Sequence, residues 1–522
     1  MSLLALPTEL LEKIVIITDR RAIRLTCKTL CAVATPLVFE HIYIDFTKIE
    51  MHKSRAIRFL RELSQGRRLA RFVRSLYFIT SNGIDKPKFS LRDAFSLWKN
   101  KEPFFERVGK LILAAVPQMQ GLQGFHWKKP DRARMCSEIM DQIIHSLSNH
   151  PRLHFVSISA DGINNDIPCA PFHGLTHLRI NGDGPLCYIP AIIANSPNLF
   201  SLKVFSESRD SASPPHFPVL SLFSAFAEGT HSSVQAVTLA GDYLSLEPSA
   251  VPALIPHFRN LSEFVLPVGF DVPDDFWSAL LDAQVHLRNA ISRYARLTES
   301  FLEYLGGYHG LKVLHLLLAH VYTDDAPDKF HSRFFRRHII PAHSSSLTSV
   351  LVQPEYAGFW CFDVRMLKAL LLCTNLVHIG ISVDEQRAQV KHGENVITKL
   401  LENVQHWHHL EQLEIGAAIS TDPMVRSLSP ADVALKRDVC VHIVNCAMEF
   451  QCTDPTPQML KLKIDTDFIS NIRLRLCQWK PKSQIYNFVS PYVGGVTMYG
   501  REAIPILQKI EGDSVTFKYV LP

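Results

Sequence analysis

The chain has 522 residues, 47% hydrophobic and 20% charged, an ordinary globular composition with enough material for several domains or one long repeat array with a substantial core. Its formal charge of +5 hides an asymmetry: residues 1–150 hold 25 Lys and Arg against 14 Asp and Glu, leaving 30 against 36 in residues 151–522. No secretory leader is expected, because Glu9 and Glu12 break the apolar opening, and no membrane helix, because the charge-free stretch 184–202 contains Pro185, Pro190 and Pro197.

In chain order, the first predicted element is a helix that starts at Pro7, whose fixed φ suits a first turn, with Leu10, Leu11, Ile14 and Val15 on one stripe. After the polar break 19–21, a second apolar helix runs through Ile23, Leu25, Cys27, Leu30 and Val33, and Pro36 is expected to end it. Leu6-Pro7-x-Glu9-Leu10-Leu11, then Leu25-Thr26-Cys27-Lys28, then Ala34-Thr35-Pro36-Leu37-Val38-Phe39 resemble the F-box, in the form common in large fungal F-box families. The link between the two motif halves is shorter than is usual there.

That resemblance implies docking on the small adaptor subunit of a cullin-RING ubiquitin ligase, with the rest of the chain capturing a protein substrate. The adaptor-facing residues it implies are Leu6, Pro7, Leu10, Leu11, Ile14, Leu25, Cys27, Lys28 and Leu30. A plain helical cap on the following domain is the other reading of the same periodicity. The basic run from Lys53 to Arg74 has few aromatics among its cations and reads as a solvated helix face rather than a nucleic-acid site.

A first strand is expected within 70–79, a helix over 86–116 and a second strand over 119–127. A pattern then takes over: a helical segment, a small polar turn, and a strand of the form apolar-x-x-apolar-x-apolar. Its strands begin at Leu153, Leu175, Leu199, Val234, Leu261, Leu311, Leu347, Leu376 and Leu410, spaced by 22, 24, 35, 27, 50, 36, 29 and 34 residues. The interval of 50 is expected to carry a turn at 271–275 and two helices, over 276–290 and 297–305.

This is the pattern of an α/β leucine-rich-repeat solenoid, irregular in repeat length, with parallel strands on one side, helices on the outer side and leucines between them. A generic βα domain with a parallel sheet is the alternative. The expected organisation is an F-box over 1–45, a helical linker with the first irregular repeats over 46–150, repeats over 151–428, and terminal repeats with a cap over 429–522.

Catalytic constellations are not found. The sequence has no P-loop, HExxH or GxSxG spacing and no zinc-type cysteine pairing. A dinucleotide layout around Gly182 has Cys187 at the third glycine position and prolines in the following helix, so a nucleotide-binding enzyme is the weakest reading. His406, His408 and His409, and the group Cys440, His442, Cys446 and Cys452, make no recognised metal set. Eleven cysteines without a CxxC pair suggest free thiols inside a cell, cytoplasmic or nuclear. The expectation is a receptor without catalysis, cofactor or metal, its partners an adaptor and through it a cullin, plus an unidentified protein substrate, acting by proximity. A repeat scaffold unconnected with ubiquitin transfer is the alternative.

Overall fold

The computed structural model describes residues 7, 9–11, 20–46, 53–66, 68–79, 104–128, 137–159, 172–182, 186, 188–206, 217–241, 244–266, 270–293, 297–318, 326–388, 395–418, 439, 442–443 and 446, and five strand backbones beyond residue 460. The contacts divide the chain into two units, Met1–Ser245 with Pro256–Asn260, and Leu246–Ile255 with Leu261–Pro522. This division falls where the repeat pattern continues without a break in the sequence.

In the first unit, seven strands lie parallel in chain order: β1 (His41–Asp45), β2 (Ser75–Ile79), β3 (Gly124–Lys128), β4 (Phe155–Ser159), β5 (His177–Asn181), β6 (Ser201–Phe205) and β8 (Ala236–Ala240). A side ribbon pairs β7 (Phe217–Pro218) with β9 (Leu244–Ser245). Alternate side chains point inward, for example Leu76 and Phe78, Val156 and Ile158, Leu202 and Val204, and all six are at most 1% exposed. Helices Lys53–Ser64, Phe104–Ala115 and Ser137–Ser148 connect successive strands. Each supplies one buried face, including Leu60, Ile112 and Ile143.

The second unit repeats the plan with β10 (Glu263–Leu266), β11 (Asn289–Arg293), β12 (Val313–Leu318), β13 (Ser349–Pro354), β14 (His378–Val383), β15 (Gln412–Ala417) and β16 (Lys461–Thr466), all parallel. The ladder then reverses through β17 (Ile469–Cys477) and β18 (Ile485–Val489), which pair antiparallel, as do β19 (Ile504–Gln508) and β20 (Thr516–Val520).

The periodicity has a backbone cause. Just before each strand, one carbonyl accepts two consecutive N–H groups of the next repeat: Arg74 O takes Gln123 and Gly124, His154 O takes Thr176 and His177, and Lys312 O takes Thr348 and Ser349. The column recurs through both units, satisfying the turn groups that a buried bend would otherwise orphan. The anchoring residue, a leucine in eight cases and Val234 in the ninth, precedes each of these strands by two residues, so all nine expected strands occur with their starts moved forward by two. The architecture is α/β, a leucine-rich-repeat-like parallel array in each unit.

Three expectations need correction. The second helix is broken by a turn at Leu25 and Thr26 into Arg20–Arg24 and Lys28–Phe39, and Pro36 does not end the latter. The N–H it lacks would have met the carbonyl of Ala32, an exposed residue, so water can take that acceptor. The first strand is β1, within the span assigned to the F-box, so the parallel ladder begins immediately after the second helix. The third correction is β11, whose first two residues fall at the end of the helix expected over 276–290 and which no strand was expected to fill. The helix there stops at Asp282, because Gln284 takes φ 55 while Val285 N–H bonds to Leu280 O and Gln284 N–H to Leu281 O, a left-handed helix end usually made by glycine. With β11 counted, the interval of 50 resolves into 26 and 24 residues, from Leu261 to Leu287 to Leu311. The helix expected over 86–116 is seen as Phe104–Ala115, and its earlier part lies outside the described residues.

A non-glycine in the left-handed region costs about 1 kcal/mol. Gln284→Gly is therefore expected to stabilise the chain by roughly 0.5–1 kcal/mol, part of the relief being lost to the entropy of glycine in the unfolded chain. Urea unfolding of the variant beside the wild type measures this; an unchanged or lower midpoint would contradict the assigned helix end.

Candidate functional site

Two surfaces carry the residues suited to binding. The first is the amino-terminal helical segment. Cys27 caps the helix Lys28–Phe39, its Sγ accepting from Leu30 N–H at 3.5 Å, and Thr26 Oγ1 donates to Ile23 O at 2.7 Å, closing the turn before it. The inner side of that helix is fixed by Leu30 and Ala34, both buried, and by Phe39, stacked on Phe59 with ring centroids 6.1 Å apart. Leu25, in the turn before that helix, is 85% exposed, and Lys28, its first residue, is exposed. Pro7 is exposed and accepts the N–H groups of Leu10 and Leu11. Leu10 is 43% exposed and Leu11 is buried.

The nine residues of the F-box resemblance therefore divide. Pro7, Leu10, Leu25 and Lys28 are presented outward, Cys27 is half-buried, Leu11 and Leu30 face the interior, and Leu6 and Ile14 lie outside the described residues. A helical periodicity marks a stripe, and only the packing decides which side of it is covered.

The second surface is the open face of the first unit's sheet, where the outward residues of successive strands stand beside one another. Tyr43 stacks on Tyr77 at 4.4 Å and Tyr77 on His126 at 4.0 Å; Phe155, His177 and Phe200 continue the row with centroids 4.7 to 6.1 Å apart. Burial holds the imidazole of His126 down to about pKa 4 and lowers that of His177, so both rings are neutral near pH 7 and the positive charge of the face comes from Lys128, Arg179 and Lys203. Arg179 lies over the Phe205 ring at 4.9 Å. Because Tyr77 is covered on both faces, what this row offers outward is ring edges, a hydroxyl and cations, a surface for polypeptide contacts. Periodicity along the chain passes over these residues. Aligning the repeats on the apolar residue two before each strand finds most of them, since they fall at the second and fourth positions after it.

The other expected candidates resolve into structure. Gly182 donates to Phe205 O at 2.7 Å, and the following helix, Ile189–Ala194, has six residues. His406 Nε2 lies 2.8 Å from Leu371 O and Trp407 Nε1 donates to Leu370 O at 3.3 Å. His442 Nε2 is 3.6 Å from Cys446 Sγ and 3.2 Å from Asn395 Nδ2; Cys440 and Cys452 lie outside the described residues. Among the described residues, no three His, Cys, Asp or Glu side chains are grouped to hold a metal, and no helix is long and apolar enough to cross a membrane.

No family model and no curated protein matches this sequence. Among solved structures, the chain is similar to a crystal structure of a Rad7 and Elc1 complex in yeast, with 10% sequence identity and a TM-score of 0.35 over 70% of this chain and 76% of that one.

Proposed function

We propose that this chain is a noncatalytic substrate receptor of a cullin-RING ubiquitin ligase: the amino-terminal helices dock on the ligase adaptor, and the repeats hold a protein substrate on their open sheet face. The observation that carries the reading is the pair of outward leucines, Leu10 and Leu25, on a short helical segment whose other side is packed, in the stretch that resembles the F-box. Leaving a leucine in water forgoes about 1.5–3 kcal/mol of burial, which a docked adaptor recovers. The aromatic and cationic row from Tyr43 to Phe200 supports a polypeptide as the second partner.

A second reading, a repeat scaffold with a helical cap, is favoured by the burial of Leu11 and Leu30 and by the contact of Phe39 with Phe59. A pull-down of the purified chain with the adaptor subunit separates the two. Wild type is expected to bind, and a Leu10→Asp, Leu25→Asp variant to bind at least roughly tenfold more weakly with unchanged circular dichroism, since both side chains are outside the core. Failure of the wild type to bind would leave the scaffold reading.

A further inference from the structure

We propose that the cavity at the carboxyl ends of β10 and β11 binds a primary ammonium group on a short alkyl stem, the side chain of a lysine in a partner polypeptide. The cavity has a volume of about 240 Å³ and is walled by Phe270, Trp277 and Phe301. Ser292 belongs to its lining and Asp271 and Asp274 stand exposed beside it. The proposal holds equally for a ligase receptor and for a plain scaffold.

The first argument is Ser292. In the sheet register it stands between Leu266 and Leu316, in an inward row that continues through Val352, Ile381 and Ile415. It is 2% exposed, and among the described residues its Oγ has no hydrogen-bond partner. A buried hydroxyl left unpaired is destabilising, so an apolar side chain here would be the simpler core residue. The hydroxyl lines the cavity and is placed to accept an N–H from something bound there.

Charge decides the ligand. The helices Asp274–Asp282 and Glu299–Gly306 both begin at the cavity, through Pro273 and Thr298, and two helix amino ends contribute about half a positive charge each. Asp271 and Asp274 bring two full negative charges and outweigh them. Asp274 accepts a hydrogen bond from Ser300 Oγ, and neither carboxylate has a cationic partner among the described residues. The aromatic walls favour the same sign, a cation being attracted to the face of a ring.

Geometry then selects among cations. A guanidinium presents a planar fork that wants paired acceptors in its plane, whereas Ser292 offers a single oxygen. A trimethylated ammonium has no N–H and would leave that oxygen unpaired. The primary ammonium satisfies the hydroxyl and both carboxylates, and its apolar stem suits the aromatic walls.

The test is calorimetric titration of the full chain with Nα-acetyl-lysine methylamide, beside its norleucine, Nε-acetyl and Nε-trimethyl analogues, with cadaverine as a free diamine. The lysine probe is expected to bind at least roughly tenfold more tightly than the norleucine and Nε-acetyl analogues. Asp271→Asn with Asp274→Asn should remove that advantage while the circular dichroism stays that of the wild type, both side chains being exposed. Ser292→Ala should reduce the preference for lysine over trimethyl-lysine and leave norleucine binding unchanged. Equal binding of lysine and norleucine, absence of binding by the lysine probe, or indifference to the aspartate changes would overturn the site. Cadaverine binding as tightly as the lysine probe would overturn the assignment to a polypeptide, and weaker cadaverine binding supports it. None of these outcomes depends on the adaptor, so the adaptor pull-down tests the receptor reading separately.

Discussion

Gly241→Ala is expected to destabilise the chain by more than about 4 kcal/mol, the range reached only when a substitution breaks backbone packing as well as backbone conformation. Gly241 follows β8 with φ +100, and a Cβ built there would lie 1.5 Å from the carbonyl oxygen of Ser206. That carbonyl cannot retreat freely, because the Ser206 N–H is bonded to Ala240 O at 2.8 Å as the ladder between β6 and β8 closes. The substitution must shift the end of one strand or the other, exposing some of the row formed by Val204 and Leu239. Gly174 is the control: its φ is +65 and a Cβ there meets nothing within 4 Å, so Gly174→Ala carries only the conformational cost of about 1–2 kcal/mol. Urea unfolding of both variants measures the contrast. Similar losses at the two positions would mean that strands β6 and β8 do not approach as closely as described.

The second large effect is with pH. A histidine ordinarily titrates near 6.5, and burial among β12 to β15, reinforced by His378 and Arg293, holds His315 to about 4. As pH falls through 6.5 the unfolded chain takes up this proton and the folded chain does not, so unfolding becomes progressively easier down to about pH 4. Stability is full above 6.5 and is lost between 6.5 and 4. For His315 that window amounts to about 3 kcal/mol at 1.36 kcal/mol per unit.

His126 is lowered to about 4 in the same way, but it is only half-buried, and solvent screening reduces its share to roughly half of that figure. His343 adds to the trend. It is fully buried, burial lowers its pKa, and its ring is bonded at both nitrogens, Nδ1 accepting from Leu311 N–H at 3.3 Å and Nε2 donating to Leu305 O at 2.8 Å. A second proton would remove the acceptor. Unfolding free energies measured from pH 7.5 to 4.5 should fall steeply in wild type and less steeply in His315→Asn. Parallel curves for the two would show that His315 is not held neutral.

The repeat strands were legible because each needs a large apolar residue, most often leucine, two residues before it and apolar residues at alternate positions within it, and both requirements are local. Leu153, Leu347 and Leu410 mark β4, β13 and β15 without any knowledge of their neighbours. β11 escaped because its preceding helix ends on Gln284, which carries none of the glycine signal that normally marks a left-handed turn. β1 escaped because its five residues, His41–Asp45, stand at the tail of a stretch whose helical resemblance took precedence.

At the amino end, the apolar stripe was readable and its division was not. The spacing of Leu10 and Leu11 puts both on a helix, but whether each meets water or protein depends on the packing of residues distant in sequence, as Phe39 on Phe59 shows for the following helix. The cavity beside Trp277 is the clearest case of tertiary decision. A turn at Asp271 to Asp275 was visible in the chain, yet Ser292 and Phe301 belong to later elements and join it only when β10 pairs with β11. The alternation of side chains along a strand is a property of the chain; which strand lies next to which, and so which side chains share one surface, is settled by the ladder of backbone hydrogen bonds that stacks the repeats.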